Sequence, residues 1–348
     1  MFPNRFLNHR VKHMKALSVL SFILLIDAAG ADEVMDTFNL ANGVFVEGDY
    51  ETALSCYREV LQKAPKFKHA DEALFRKSEC LFKLKKFKEA AAGFESLLTA
   101  HPKFKDASTA CYRTGEIYFN QLNDFKKASA SFARFVELVP QHKLADSGQY
   151  FLAESYFKLK EYDKAVAAYQ ILLKAFPNSE YIAASNYSLG WSFFLKEDYA
   201  SAVAPFSIVA TKFSKDSAAA ESQFKQGEAL FRLGKFQDAH QSYKAVVEKF
   251  KCEFEDEASL GMGRSLFQMG KKAEAGESFL NTAKKYPDTK TAPIALFNGG
   301  SSLFAVGEYQ RALATFDELL KAKIDENLMT NSQYWRGQCL LKLGRNDD

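Results

Sequence analysis

Apolar positions along this chain recur with the spacing of helices, and the helices come in pairs. Alanine stands at 53, 90, 128, 165, 202, 239, 275 and 312, at successive spacings of 37, 38, 37, 37, 37, 36 and 37. Four residues after each comes a ring: Tyr57, Phe94, Phe132, Tyr169, Phe206, Tyr243, Phe279 and Phe316. Three further on the position is mostly apolar, as in Val60, Leu97, Phe135 and Leu172. Offsets of four and seven share one helical face, so these residues predict a single buried stripe. Twelve residues before each alanine is a small residue: Ala41, Ser78, Ala153, Gly190, Gly227, Gly263 and Gly300. Gly115 is displaced by one, through an extra residue in the turn 120–124. The small residue predicts a preceding helix that its partner approaches closely, with the alanine receiving it.

Punctuation agrees with paired helices. Short turns such as Gly48-Asp49-Tyr50 and Glu197-Asp198-Tyr199 place an aspartate where it caps the following helix. Pro65, Pro102, Pro140, Pro177 and Pro287 follow the second helix, because proline cannot continue the hydrogen-bond ladder. Periods five, six and eight have Ser214, Lys251 and Ile324 there instead.

The first thirty-one residues are of another kind. Residues 1–15 are basic, residues 16–26 are apolar, and Ala29-Gly30-Ala31 is a small-x-small end. These are the three regions of a secretory signal peptide cleaved after Ala31, implying an exported protein. The apolar run is too short to span a bilayer. Met14 offers a second possible start, and an N-terminal helix packed on the first repeat is the alternative reading. The leader also explains the charge. Lys and Arg number 46 against 43 Asp and Glu, and residues 1–31 hold four of the bases and one acid, so each sign falls to 42 in the rest. A neutral body carries no global footprint for nucleic acid or an anionic membrane.

The order of small, alanine, aromatic and proline positions resembles the tetratricopeptide repeat, a two-helix unit of about 34 residues. The resemblance covers about residues 34–326, with hairpins near 34–66, 71–103, 108–141, 146–178, 183–215, 220–252, 256–288 and 293–325. A capping helix at 328–344 keeps the register through Tyr334, Gly337 and Leu340. The resemblance implies an all-α fold, a right-handed α-α superhelix built as one cooperative array over 32–348, with first helices lining a concave face. The longer period and the leader resemble the bacterial envelope branch, such as the outer-membrane assembly lipoprotein and the Tol–Pal-associated division coordinator. The chain departs from both: it has no lipid-acceptor cysteine after the apolar run and no N-terminal coiled coil, and it has more repeats.

Candidate binding residues lie on the first helices. Three before the small position runs an upstream ladder: Phe38, Phe75, Tyr112, Tyr150, Tyr187, Phe224, Leu260, Phe297 and Tyr334. Four after it runs a nearly uniform downstream ladder, from Phe45 and Phe82 to Phe304 and Leu341. Each ladder is open to two readings, a groove for a peptide or rings packed against the next first helix. Uniformity favours packing for the downstream one. One residue after the small position are Asn42, Glu79, Glu116, Glu154, Trp191, Glu228, Arg264, Ser301 and Gln338. The four glutamates suggest a partner with basic segments, or else intrahelical pairs with Arg76, Arg113 and Lys225 three residues earlier. Repeat five stands apart through Trp191 and through Pro205 inside its second helix, where a kink is expected. The candidate surface is therefore Trp191, Tyr150, Tyr187, Phe224, Glu79, Glu116, Glu154 and Glu228.

Nothing points to catalysis, a cofactor or a metal. Five cysteines match no metal or redox spacing; Cys56, Cys80, Cys111 and Cys339 fall at positions that should be buried, and Cys252 in a loop. The histidines of the body are scattered, and three of them read as surface loop residues. Gly261-x-Gly263 lies in a helix and lacks the third glycine of a dinucleotide fingerprint. The sequence thus predicts a non-catalytic scaffold for peptide or protein partners in the bacterial cell envelope, with no nucleic acid and no membrane span. The alternative is a cytosolic adaptor or co-chaperone. Of the Lys and Asn cluster that such adaptors use to hold a terminal carboxylate, only Asn42 is present.

Overall fold

The computed structural model describes residues 32–345. The leader and its cleavage site lie outside these residues. Among the described residues are seventeen α-helices and no strand. The chain divides into two compact units, the first ending at Ser155 and the second beginning at Tyr156.

The first unit pairs α1 (32–47) with α2 (Tyr50–Lys63), α3 (Ala70–Lys83) with α4 (Phe87–Ala100), and α5 (Ala107–Asn120) with α6 (Phe125–Leu138). Helix α7 (Ala145–Lys158) carries the division between the units, and α8 (Tyr162–Ala175) opens the second. There follow α9 (Ile182–Leu195) and α10 (Tyr199–Lys212), α11 (Ala219–Arg232) and α12 (Phe236–Lys249), α13 (Glu255–Gln268) and α14 (Lys272–Lys285), then α15 (Thr291–Ala305) and α16 (Tyr309–Leu319). Helix α17 (Glu326–Lys342) ends the series. Consecutive helices pack on one another from α2 to α6 and from α8 to α17, and in the second unit the first helices α11, α13, α15 and α17 also touch in sequence. No helix among the described residues is long and apolar enough to cross a membrane.

The repeated stripe is the core. All eight alanines have no exposed surface, and the ring four residues on is buried in every repeat. The close approach occurs at the small position, which receives this ring. A Cβ added to Gly190 would stand 2.7 Å from the ring of Phe206, and one on Gly263 2.5 Å from that of Phe279.

Seven of the eight hairpin turns close in the same way; the longer turn after α5 differs. At the turns after α3 and α11, the N–H groups of Lys85 and Gly234 donate to the carbonyls of Phe82 and Phe231, and those of Lys86 and Lys235 reach back to Leu81 and Leu230. This paired pattern needs a left-handed residue between the helices. Gly48, Gly234, Gly270, Gly307 and Gly344 supply it, while Lys85, Asn123, Lys160 and Glu197 adopt it with φ of 51–60°. Asp49 and Asp198 cap as expected, accepting from the N–H groups of Thr52 and Ser201 at 3.1 and 3.2 Å.

One expectation about proline changes. Helices α10 and α12 stop at Lys212 and Lys249 although Ser214 and Lys251 follow, so proline accompanies the helix end without setting it. Pro205 does not interrupt α10, which runs through it for the same fourteen residues as its neighbours. The loop histidines also differ from the surface reading. His69 is half-buried and stacked on Phe38, and His142 packs against Phe135. All five cysteines are free; Cys80, Cys111 and Cys339 are buried, and Cys56 is half-buried instead.

Candidate interaction groove

The downstream ladder is a set of clasps. Phe45, Phe82, Phe119, Phe157, Phe194, Phe231 and Phe304 each meet the aromatic residue that opens their own second helix, as in Phe194–Tyr199 at 5.2 Å and Phe231–Phe236 at 5.3 Å between ring centroids. In repeat seven Lys272 replaces that ring, and its ammonium lies 5.9 Å from the Phe267 centroid. Each of these rings thus makes a contact within its own hairpin, beside any that the next first helix supplies.

The next first helix contributes a lid. Arg76 lies over Phe45 at 5.0 Å, Arg113 over Phe82 at 5.1 Å and Lys225 over Phe194 at 5.6 Å, while Phe151 meets Phe119 at 5.2 Å. All four lids stand two residues before the small position. In α9 this position is Ser188, in α13 Gly261 and in α15 Asn298, while in α17 it is Trp335, which meets Phe304 at 5.0 Å. A Cβ at Gly261 would stand 2.8 Å from the Tyr243 ring, so no lid fits there without displacing Tyr243.

Beside Gly261 and Asn298 the surface opens into two adjoining cavities. One, of about 400 Å³, has Phe224, Phe231, Tyr243 and Leu260 as its apolar lining and Arg232, Glu257 and Lys290 at its rim. The other, of about 350 Å³, is lined by Phe267, Phe279, Phe297, Asn298 and Ser301. Phe231, Arg264 and Ile294 line both, so the two form one groove across α11, α13 and α15. Ile294 is 40% exposed, and the buried hydroxyl oxygen of Ser301 has no hydrogen-bond partner.

The residues singled out from the sequence divide by place. Phe224 and Glu228 line the groove. Phe224 is itself a packing residue, stacked on Phe254 at 5.7 Å, and Glu228 is bound to Lys225 at 2.6 Å. Trp191 lies elsewhere and is half-buried, with Tyr187, Phe194 and Phe206 around its edges and the Lys225 ammonium 4.9 Å over its face. Tyr187 donates its hydroxyl to Glu221 at 2.7 Å, and burial pushes its pKa up to about 12. Tyr150 is half-buried against Phe151 in α7, which also carries the half-buried Glu154.

Glu116 is paired with Arg113 at 2.7 Å within α5, as the intrahelical alternative required. Glu79 departs from it: Arg76 is occupied over Phe45, and Glu79 instead lies 3.5 Å from Arg113 on the next first helix. The residues that the sequence reading did not single out are Phe231, Gly261, Arg264, Ile294, Phe297 and Ser301. Their signal was present as a break in the lid series at Gly261, which resembles ordinary repeat glycine usage.

Three family models, each described as a tetratricopeptide repeat, match residues 45–111, residues 110–142 and 149–179, and residues 224–289 and 297–348. The chain belongs to the tetratricopeptide repeat family. Among solved structures, it is similar to the C-terminal part of a tetratricopeptide repeat-containing protein from Cytophaga hutchinsonii, at 14% identity and a TM-score of 0.53, covering 74% of this chain and 98% of that one. The structure of Naa15/Naa10 bound to HypK-THB matches 89% of this chain and 55% of its own, at 15% identity and a TM-score of 0.50. YrrB, described as a tetratricopeptide repeat protein with an unusual peptide-binding site, covers 60% of this chain and 100% of its own at 20% identity and a TM-score of 0.45. No curated protein matches the chain significantly in sequence. Tetratricopeptide repeat proteins are scaffolds for protein interactions, typically without catalysis of their own.

Proposed function

We propose that this chain is a non-catalytic scaffold that holds a peptide segment of a partner protein in the groove across α11, α13 and α15. The observation that carries this is the loss of the lid over Phe231 and Phe267. Arg, Lys or Phe lies over Phe45, Phe82, Phe119 and Phe194, and Trp335 meets Phe304, whereas here an apolar floor of ligand-sized volume stays open. Photocrosslinking from position 294 in cells tests it. Adducts from 294 that are absent from position 171, an exposed isoleucine on the second helix α8, are the expected result.

The leader supports export and a role in bacterial envelope assembly or division. N-terminal sequencing of the purified native protein tests this: a start at Asp32 supports export, and an intact Met1 or Met14 in the cytosol ends it. A cytosolic adaptor is the second reading, favoured by the buried free thiols Cys80, Cys111 and Cys339, which suit a reducing compartment.

A further inference from the structure

We infer that the segment held in this groove is acidic, with a large apolar side chain among its carboxylates. This rests on the groove being the docking site and concerns the chemistry of the occupant. The argument is the distribution of committed and uncommitted charge.

Elsewhere in the structure several arginines are paired with carboxylates of their own neighbours. Arg113 serves both Glu79 and Glu116, Arg311 serves Glu277 and Glu308, and Arg336 serves Asp317. Around the groove this stops. Arg232, Arg264 and Lys290 are exposed, and among the described residues none has a carboxylate within ion-pairing distance. Of the two acids at the groove, Glu228 is committed to Lys225, which leaves Glu257 against three cations. The balance is positive where the protein as a whole is neutral, opposite to the basic partner that the glutamate row suggested.

The second cavity sharpens the requirement. Its walls hold Phe267, Phe279 and Phe297, its one charged residue is Arg264, and it contains no acid. It suits one bulky apolar side chain, beside which a carboxylate meets the Arg264 fork. The unpartnered Ser301 hydroxyl can donate to a carboxylate or a peptide carbonyl there. The cations belong to exposed side chains on α11, on α13 and just before α15, so a segment crossing the groove meets them in succession and not as one point. That arrangement fits internal Asp and Glu residues of a chain better than a single terminal carboxylate.

Four fluorescein-labelled nonapeptides test the inference against the full chain by anisotropy. The first has a central Phe flanked by Glu and Asp, the second the same Phe flanked by Gln and Asn, the third by Lys. The fourth is the acidic peptide with Ser in place of Phe. The acidic Phe peptide is expected to bind about tenfold more tightly than its neutral counterpart, the sum of a few partly screened pairs. That advantage should shrink between about 50 and 500 mM salt, as the Debye length shortens. Arg264→Gln and Lys290→Gln should remove the advantage of the acidic peptide over the neutral one, with the melting temperature unchanged. The Ser peptide should bind weakly throughout.

Equal or tighter binding of the neutral or Lys peptide, or no binding of the acidic one, overturns the inference. Ile294→Gln separates this from failure of the docking site. If the neutral or Lys peptide binds best and loses affinity in Ile294→Gln, the groove stands and the acidic preference falls. If no peptide responds to Ile294→Gln, the groove itself is not the site.

Discussion

Glu79 lies in α3 with 9% of its surface exposed, and one carboxylate oxygen has no hydrogen bond although Arg113 stands 3.5 Å away. Desolvation raises its pKa above the ordinary 4.5, against the pull of Arg113, Lys83 and Arg76. The unfolded chain therefore releases this proton at lower pH than the native one. The group's contribution to stability is whole below the unfolded value and is lost as pH rises through the raised native value. Glu79→Gln should accordingly raise the melting temperature at pH 7 and change it little at pH 4, by scanning calorimetry at both. The thiols make a second prediction at this scale. Burial pushes Cys80 up to about 12, and Cys111 and Cys339 up to about 11. Since the thiolate is the nucleophile, iodoacetamide at pH 8 should modify Cys252 first. The three buried thiols should react only when the chain unfolds, as read by peptide mass mapping. Prior labelling of Cys80 would contradict the packing described.

Elements here are set by two local devices, the clasp and the left-handed turn, and they differ in how visible they were. The aspartate caps and the aromatic ladder were legible, because each depends on residue type at fixed spacing. The turn was not, because four of the nine left-handed positions hold Lys, Asn or Glu in place of glycine. The hydrogen bonds of the turn impose that conformation whatever the residue, at a cost of about 1 kcal/mol for an L side chain. Lys160→Gly and Glu197→Gly should each stabilise the protein by up to about 0.5 kcal/mol, the strain relief less the entropy of a freer unfolded chain. Urea melts of each variant check the sign, and destabilisation would show that the strain is absent. Conversely, Asp198→Ala, which deletes the side-chain acceptor for the Ser201 N–H, should cost about 1 kcal/mol.

For the whole molecule the decisive feature is a comparison between repeats. Phe45, Phe82, Phe119 and Phe194 are covered by the following helix; Phe231 and Phe267 face positions held by Gly261 and Asn298. Restoring a lid should close the site without touching the core. Asn298→Phe copies the role of Phe151, which covers Phe119 in α7. It is expected to fill the second cavity and to weaken binding of the peptide that docks best by about tenfold, a modest share of interface energy for one anchor pocket. The melting temperature should hold or rise. Unchanged affinity in a variant whose cavity is filled would mean that the ligand does not use that cavity.

What the amino-acid order determined by itself is the repeated unit: helix pairs, their lengths, the alanine and aromatic stripe and the capping aspartates. The reason is that a hairpin buries its ring against its own small residue, so the interaction is local and recurs with the period. What only the tertiary structure decided is which surface remains free. Phe231 reads like any other member of its ladder, and Arg264 like one more charge in a varied row. Whether a ring is covered depends on the reach of a side chain from the next helix, and whether a charge is free depends on what its neighbours have already paired. Gly261 shows the difference: along the chain it is one more small residue, and in three dimensions it marks the place where a lid is missing and the groove begins.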